Sequence, residues 1–318
     1  MFEYILVPLD GSTLAECVLP HAIAIARANN SQVRLLRVLD PISAATRPRP
    51  VDPLDWQIRK AEAEAYLKEI AVRLEKASLQ SDVIVLEGKA AENVVTYAHE
   101  NNISLIILSS HGQSGISGWN VSSVVQKIIL RAKTSVMIVR AYQPLPEDFS
   151  ELHYQHILLP MDGSQRAEIV FPLAGALARV HGAQILAAHV VREPEMPRRT
   201  HQTQEDIELV NRIMERNRAE ASKYLAEIGS HLDVPVDTRL LIGESVTKAL
   251  HELVDQSAID LVLLSAHGYS GDVKWPYGNV VISFIAYGTT PLLVVQDLPP
   301  DRLEPTRAEI MAREQGSR

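Results

Sequence analysis

Apolar residues are arranged along this chain in two alternating textures: short unbroken runs bounded by turn residues, and longer stretches in which apolar positions recur three and four apart. The runs Tyr4 to Leu9, Val33 to Leu39, Val83 to Leu86, Ile103 to Leu108 and Ser135 to Val139 read as strands. Ile103 to Leu108, apolar except for Ser104, has the look of a strand buried on both faces. Between the runs, Leu14, Cys17, Val18, Ala22, Ile25 and Ala26 mark one helix, and Tyr66, Leu67, Ile70, Ala71 and Leu74 mark a second. Val94, Val95 and Ala98 mark a third, and Ser122 to Arg131 reads as a fourth. The stretch Pro41 to Pro53, interrupted by Pro48 and Pro50, is expected to be a loop.

The same alternation then starts again. Strands are expected at Ile157 to Leu159, Ala183 to Val190, Val236 to Leu241, Leu261 to Leu264 and Pro291 to Val295. Helices end at His181, run from Gln204 to Ile228, end at Gln256, and begin near Gly278. Strict strand-helix alternation requires right-handed crossovers, which place the strands parallel and the helices on both faces. The expected fold is therefore α/β: two tandem doubly wound, Rossmann-like domains, each a five-stranded parallel sheet covered on both sides.

Repetition is also explicit in the letters. Ile5-Leu-Val-Pro-Leu-Asp-Gly-Ser12 is matched by Ile157-Leu-Leu-Pro-Met-Asp-Gly-Ser164, and Leu108-Ser-Ser-His-Gly-Gln-Ser-Gly115 by Leu264-Ser-Ala-His-Gly-Tyr-Ser-Gly271. A repeat of about 150 residues is a whole domain, too long for a solenoid unit. Residues 1–141 are expected to form the first domain and 154–297 the second. The linker is expected at 142–153, which contains Pro144 and Pro146, and 298–318 reads as a polar C-terminal extension.

Composition narrows the function classes. The chain has 318 residues, 46% hydrophobic, so each half has material for a full core. A formal charge of −8 without a basic stripe argues against nucleic acid and anionic membrane as partners. No apolar run approaches the ~18 to 20 residues that cross a bilayer, and Met1-Phe-Glu-Tyr4 lacks a basic leader, so a cytoplasmic protein is expected. The single cysteine, Cys17, sits among the apolar positions of a helix and reads as a small buried hydrophobe.

The repeated motifs fall at the carboxyl ends of strands, where open parallel sheets bind ligands. Gly112 and Gly115, like Gly268 and Gly271, remove side chains where backbone would approach a ligand, and the following helix offers unpaired N–H groups to phosphate. Glycines that simply let the loop turn account for the same residues equally well. Asp10 and Asp162 suit a sugar hydroxyl or a base edge better than phosphate; they also suit a turn in which Ser12 or Ser164 caps the next helix. His111 and His267 have no Cys, His or carboxylate at metal-ligand spacing and no local Ser-His-Asp arrangement, and read as loop histidines bonding backbone or phosphate. Trp119 and Trp275, after the two loops, read as packing residues. Neither a P-loop nor a Gly-x-Gly-x-x-Gly is present in the sequence.

Pro-x-Asp-Gly-Ser closing the first strand, a Gly after the third (Gly88, Gly243) and Ser-x-His-Gly-x-Ser-Gly after the fourth resemble the universal stress protein family in its tandem, two-domain form. The resemblance covers about residues 1–140 and 154–296. It implies a stress-response protein that binds adenine nucleotide and acts as a sensor or regulator, with no catalytic residue and no resident protein-bound metal. The implied ligand is ATP, alone or with Mg2+.

In nucleotide-binding members Gly-x-x-Gly, nine residues, then Gly-Ser or Gly-Thr hold the phosphates and ribose. Carried over, the first half has Ser109, His111, Gly112, Ser122 and Ser123, and the second has Ser265, His267, Gly268, Gly278 and Asn279. Ser109 and Ser265 replace the first Gly, Ser122 replaces the third, and Asn279 replaces the terminal hydroxyl residue. Gln113 and Tyr269 stand where common members carry Arg. Pro8 and Pro160 belong to the strand-1 motif, and Val38 and Val190 map to the family's adenine contact. The second half keeps Gly278 and is the better-preserved phosphate cradle. The family pairs the last strands of two domains, which makes Val136 to Val139 and Leu292 to Val295 the expected intramolecular seam, with further dimerisation and protein partners left open. Two alternatives stand beside this reading: a nucleotide-free interaction module of the same fold, and a slow ATPase switch relying on Asp10, Asp162, His111 or His267.

Overall fold

The computed structural model describes residues 1–40, 53–113, 115, 120–142, 149–194, 203–269 and 276–298. The first half runs β1 (Tyr4–Pro8), α1 (Thr13–Glu16), α2 (Val18–Asn29), β2 (Gln32–Leu39), α3 (Pro53–Lys76), β3 (Ser81–Glu87), α4 (Ala90–Glu100), β4 (Leu105–Ser109), α5 (Ser123–Ala132) and β5 (Ser135–Val139). After a 3-10 turn at Phe149–Glu151 the second half runs β6 (His156–Met161), a 3-10 turn at Ala167–Val170, α6 (Phe171–His181), β7 (Gln184–Arg192), α7 (Gln204–His231), β8 (Val236–Gly243), α8 (Val246–Gln256), β9 (Leu261–Ser265), α9 (Asn279–Tyr287) and β10 (Leu292–Val295). The expected loop at Pro41 to Pro53, the two prolines of the linker, Trp119, Trp275 and nearly all of the C-terminal extension lie outside the described residues, although Pro53 itself opens α3.

One expectation needs correction. The single helix read after the first strand is two pieces in each half, α1 then α2, and a 3-10 turn then α6. Pro20 and Pro172 are the reason: each lies in the first turn of its helix and lacks the N–H that would bond four residues back, to Glu16 or Glu168.

The strands form one ten-stranded sheet in the order β3-β2-β1-β4-β5-β10-β9-β6-β7-β8. Within each half all pairings are parallel; at the centre β5 and β10 run antiparallel, with Leu292 opposite Ile138, Leu293 opposite Met137 and Val294 opposite Val136. The two halves thus meet along the seam expected from the resemblance. Every residue of β4, β5, β9 and β10 is buried, whereas the outermost strands β3 and β8 are only partly so. Burial is what lets the inner strands be continuously apolar. On each face of the sheet one apolar layer extends through both halves: α2, α3, α6 and α7 cover one, and α4, α5, α8 and α9 the other.

Polar bonds lock the seam as well. Asn120 Nδ2 donates to the Ile285 and Gly288 carbonyls (3.1 and 2.9 Å), Arg140 donates to the Phe284 carbonyl (2.8 Å), and the Tyr277 hydroxyl donates to the Ile129 carbonyl (3.1 Å). The first half therefore bonds two carbonyls in the last turn of α9, those of Phe284 and Ile285, and the carbonyl of Gly288 that follows it. Arg140 is fully buried, and burial lowers its guanidinium to about 10.

Where α2 meets α6, His21 Nδ1 lies 2.8 Å from the Tyr154 hydroxyl, whose ring is 5.1 Å from that of His181, which in turn is 5.6 Å from His153. Burial depresses His21 to about 3 and also lowers His181, an effect that a bond with the Ala24 backbone opposes and that His153 and Arg27 add to. A neutral buried imidazole stabilises the fold relative to an unfolded chain that takes up the proton near pH 6.5. Stability is therefore lost as pH falls below that value. His21 alone is expected to remove about 2 kcal/mol between about pH 6.5 and pH 5. Urea unfolding across this range should show the slope in the parent chain and a shallower one in His21→Gln; equal slopes would remove His21 as its source.

Candidate functional site

In both halves the strand order places β1 beside β4, and β6 beside β9, while their following helices leave to opposite faces. This divergence opens a crevice at the carboxyl edge, the place where doubly wound sheets take ligands. Pro8 ends β1 and Pro160 is the next-to-last residue of β6; Ser109 and Ser265 end β4 and β9.

Asp10 does two jobs there. Its Oδ1 accepts from the Ser12 amide (2.9 Å) and hydroxyl (2.6 Å), while Oδ2 accepts from the Gln113 amide (2.7 Å). Gln113 Nε2 returns a bond to the Asp10 carbonyl (2.6 Å). Asp162 repeats the pattern with Ser164 and with the Tyr269 amide at 2.5 Å. Ser12 and Ser164 in turn accept from the Ala15 and Ala167 amides (3.1 and 3.2 Å). The strand-1 carboxylate thus builds its own turn and staples it to the loop after the fourth strand.

This staple explains two glycines. A Cβ on Gly112 would collide with Asp10 Oδ2, and one on Gly268 with Asp162 Oδ2. Gly115 is in the left-handed region (φ +75°) with open space around it; Gly271 lies outside the described residues.

Ser109 and Ser265 turn inward. Ser109 Oγ donates to the Leu14 and His111 carbonyls and lies 3.3 Å from Cys17 Sγ; Ser265 Oγ donates to the His267 carbonyl. Cys17 is buried, as expected, and burial raises its thiol to about 11, far from a reactive thiolate. His111 and His267 are each only 2% exposed. Ser110 Oγ is 3.1 Å from His111 Nδ1, and Asp297 Oδ1 is 2.6 Å from His267 Nδ1, with Arg166 Nε 3.6 Å from the other Asp297 oxygen. Serine partners one histidine and aspartate the other, so neither half assembles a Ser-His-Asp relay from these residues. Asp297 and Arg166 escaped the sequence reading because Ala141 and Leu14 hold the matching places in the first half.

The helix starts differ between halves. Ser122 caps α5, its hydroxyl accepting from the Val125 amide, whereas Gly278 precedes α9 with no side-chain cap. Ser122 and Gly278 have φ of −69° and −75°, so serine costs no backbone strain at this position. What glycine leaves at α9 is an uncapped helix N-terminus with exposed Asn279 as its first residue; exposed Ser123 is the first residue of α5.

Farther out, Val38 and Val190 lie on β2 and β7, partly buried against the α4–α8 layer. Gly88 follows β3, its amide donating to the Leu39 carbonyl, and Gly243 ends β8, its carbonyl accepting from the Glu193 amide. The crevice proper gathers Asp10, Gly112 and the start of α5, or Asp162, Gly268 and the start of α9; β2 and β7 separate Gly88 and Gly243 from it. Among the described residues no three His, Cys, Asp or Glu side chains converge as metal ligands. Asp10 and Asp162 already accept several bonds each from the two loops they join.

Comparison with known proteins places this arrangement. The universal stress protein family description matches residues 1–140 and again 153–296. Among curated relatives, universal stress protein MJ0531 of Methanocaldococcus jannaschii is 26% identical over 141 residues, covering 44% of this chain and 83% of its own length. YxiE of Bacillus subtilis is 28% identical over 149 residues, 44% of this chain and 100% of its own. A universal stress protein from Archaeoglobus fulgidus superposes with a TM-score of 0.65 at 18% identity over 93% of this chain and 98% of its own. A Pseudomonas aeruginosa protein of unknown function does so at 0.67 and 14% identity, over 99% and 97%. With both halves matched and the whole chain sharing the fold, the protein belongs to the universal stress protein family, as two tandem family domains in one chain.

Proposed function

We propose that this protein binds adenine nucleotide, ATP alone or with Mg2+, at the carboxyl edge of its sheets and acts in the cytoplasm as a stress-response regulator rather than an efficient enzyme. The observation that carries the reading is the uncapped N-terminus of α9 beside the Gly268 loop, a place where backbone amides and the helix dipole favour phosphate. The family resemblance supplies the adenine and the ribose. Gly268 and Asn279 would lie along the phosphates, and Val190 beside the base. The residues do not favour hydrolysis: His267 is buried, and Asp162 is occupied in holding two loops.

The first half has a second reading. Because Ser122 caps α5 with its own hydroxyl, that half competes with any phosphate for the same amides and is suited to a nucleotide-free role in contacting protein partners. The unit boundaries that go with this reading are 1–141 and 154–297.

Mass spectrometry of small molecules released from gently purified protein, with ATP calorimetry, tests the proposal. Asn279→Glu and Ser123→Glu each place a carboxylate at an exposed helix start, where it favours the helix but repels phosphate. Recovered nucleotide and at least about tenfold weaker ATP binding in Asn279→Glu are expected, a loss of about 1.4 kcal/mol. No ligand and no heat with ATP, ADP or AMP would replace the proposal with the interaction module.

A further inference from the structure

Helix α7 is longer than its counterpart in the first half, and bare where it is longer. Buried Ala221, Leu225 and Ile228 of α7 match buried Ala63, Leu67 and Ile70 of α3. Pro53, the first residue of α3, therefore stands level with Asn211, whereas α7 begins about two turns earlier, at Gln204. From Gln204 to Glu220, about 25 Å of helix, no side chain is buried, and only Asp206, Val210 and Met214 are half-buried. Neither apolar layer of the sheet includes any residue of this stretch. Its start is built locally instead: Thr203 Oγ1 accepts from the Asp206 amide (3.2 Å), and the Asp206 carboxylate accepts from the Thr203 amide (2.9 Å).

The bare segment is nonetheless apolar on one side. Ile207, Leu209, Val210, Ile213 and Met214 lie within an arc of about 160° at 100° per residue, and Ile207, Leu209 and Ile213 are 41, 53 and 39% exposed. In the first half the matching spot is polar: Asp55 and Trp56 hold the places of Ile213 and Met214, and Trp56 Nε1 donates to Glu87 (3.1 Å). Exposed Ile242 holds the place of Glu87, since the two pair with matching residues of the neighbouring strands, Val191 and Leu39. An apolar face of this breadth, on a stretch of helix with no core behind it, marks a surface that a partner covers.

Charge says which partner. Glu205, Asp206 and Glu208 lie at the start of the apolar face, with no basic residue in 204–208; Arg212, Arg216 and Arg218 lie toward its end, with Glu215 the one acid in 212–218. Acid, apolar, base is an order that complements itself on reversal. In two antiparallel copies of this helix crossing near Asn211, the acids of each lie level with the arginines of the other, and the helix dipoles oppose. Parallel pairing would set acid on acid. Beyond this stretch α7 carries Glu220, Lys223 and Glu227, paired within the helix, so the contact ends there. We propose that this protein self-associates through the first four turns of α7, as a two-fold antiparallel pair of helices, one from each of two chains. Such a contact is small beside the ~1,200–2,000 Å² of standard interfaces, which makes the dimer weak, with a Kd on the order of 10 µM. The inference stands independently of nucleotide binding.

Sedimentation velocity of the full-length chain from about 1 to about 200 µM is the test. The parent is expected to pass from monomer to dimer across this range. Ile213→Glu, at an exposed position outside the core, should stay monomeric with an unchanged circular dichroism spectrum. Two double variants read the orientation: Glu205→Lys with Glu208→Lys, and Arg216→Glu with Arg218→Glu. Each alone should self-associate at least about tenfold more weakly than the parent, because like charges then lie level, and an equimolar mixture should recover the parent's affinity to within about threefold. These surface changes decide the matter even if Ile213→Glu fails to fold. A parent that stays monomeric throughout, a dimer that survives Ile213→Glu, charge variants that pair as well as the parent, or a mixture no stronger than its components would each overturn the inference.

Discussion

Ile138→Asp is expected to prevent the chain from folding as one unit. Ile138 is fully buried at the centre of β5, opposite Leu292 of β10, and packed in the layer shared by both halves. A carboxylate there would stand in an apolar layer where the buried Arg140 guanidinium two residues along already donates to the Phe284 carbonyl, and it must either ionise in that core or remain protonated at a large cost. That penalty is several kcal/mol, comparable with the whole stability of a typical domain, about 5–15 kcal/mol. Val294→Asp, opposite Val136, should act alike. Chemical unfolding followed by circular dichroism is the measurement: the parent should unfold in one transition, and the variants should be insoluble or lose most of their stability. Melting unchanged from the parent would show that β5 and β10 do not pair in solution.

Gly112→Ala is expected to cost about 1–3 kcal/mol, because the new methyl collides with Asp10 Oδ2 and drives the carboxylate off the Gln113 amide. The signature is non-additivity. In an Asp10→Ala background the collision partner is gone, so adding Gly112→Ala should cost almost nothing, giving a coupling of about 1 kcal/mol or more. The pair Gly268 and Asp162 should behave in the same way. Additive losses would mean that the glycine serves the loop's own turn and not the staple.

These two expectations mark how far the letters reach. Alternation of apolar runs with amphipathic stretches was enough for the fold, since a strand buried on both faces and a helix buried on one leave different periodicities. The Asp-Gly-Ser and Ser-x-His-Gly repeats located the crevice, because residues at strand ends lie together once the strands are parallel. Prolines 20 and 172 were visible too, but their effect depends on where a helix begins, which periodicity locates only loosely.

Hidden were the relations between residues far apart. Nothing near Asp10 in sequence says that its carboxylate bonds the amide of Gln113, or that a buried Arg140 bonds the Phe284 carbonyl of α9. Likewise Arg37 and His189 look like stray polar residues in apolar strands until Tyr66 and Tyr224 are seen to face them. Sequence by itself determined the elements, their order and the edge at which ligands belong, because these follow from local periodicity and parallel topology. Tertiary structure alone decided which helix start is open and how the halves interlock, because capping and hydrogen bonding depend on distances that only the packed chain defines.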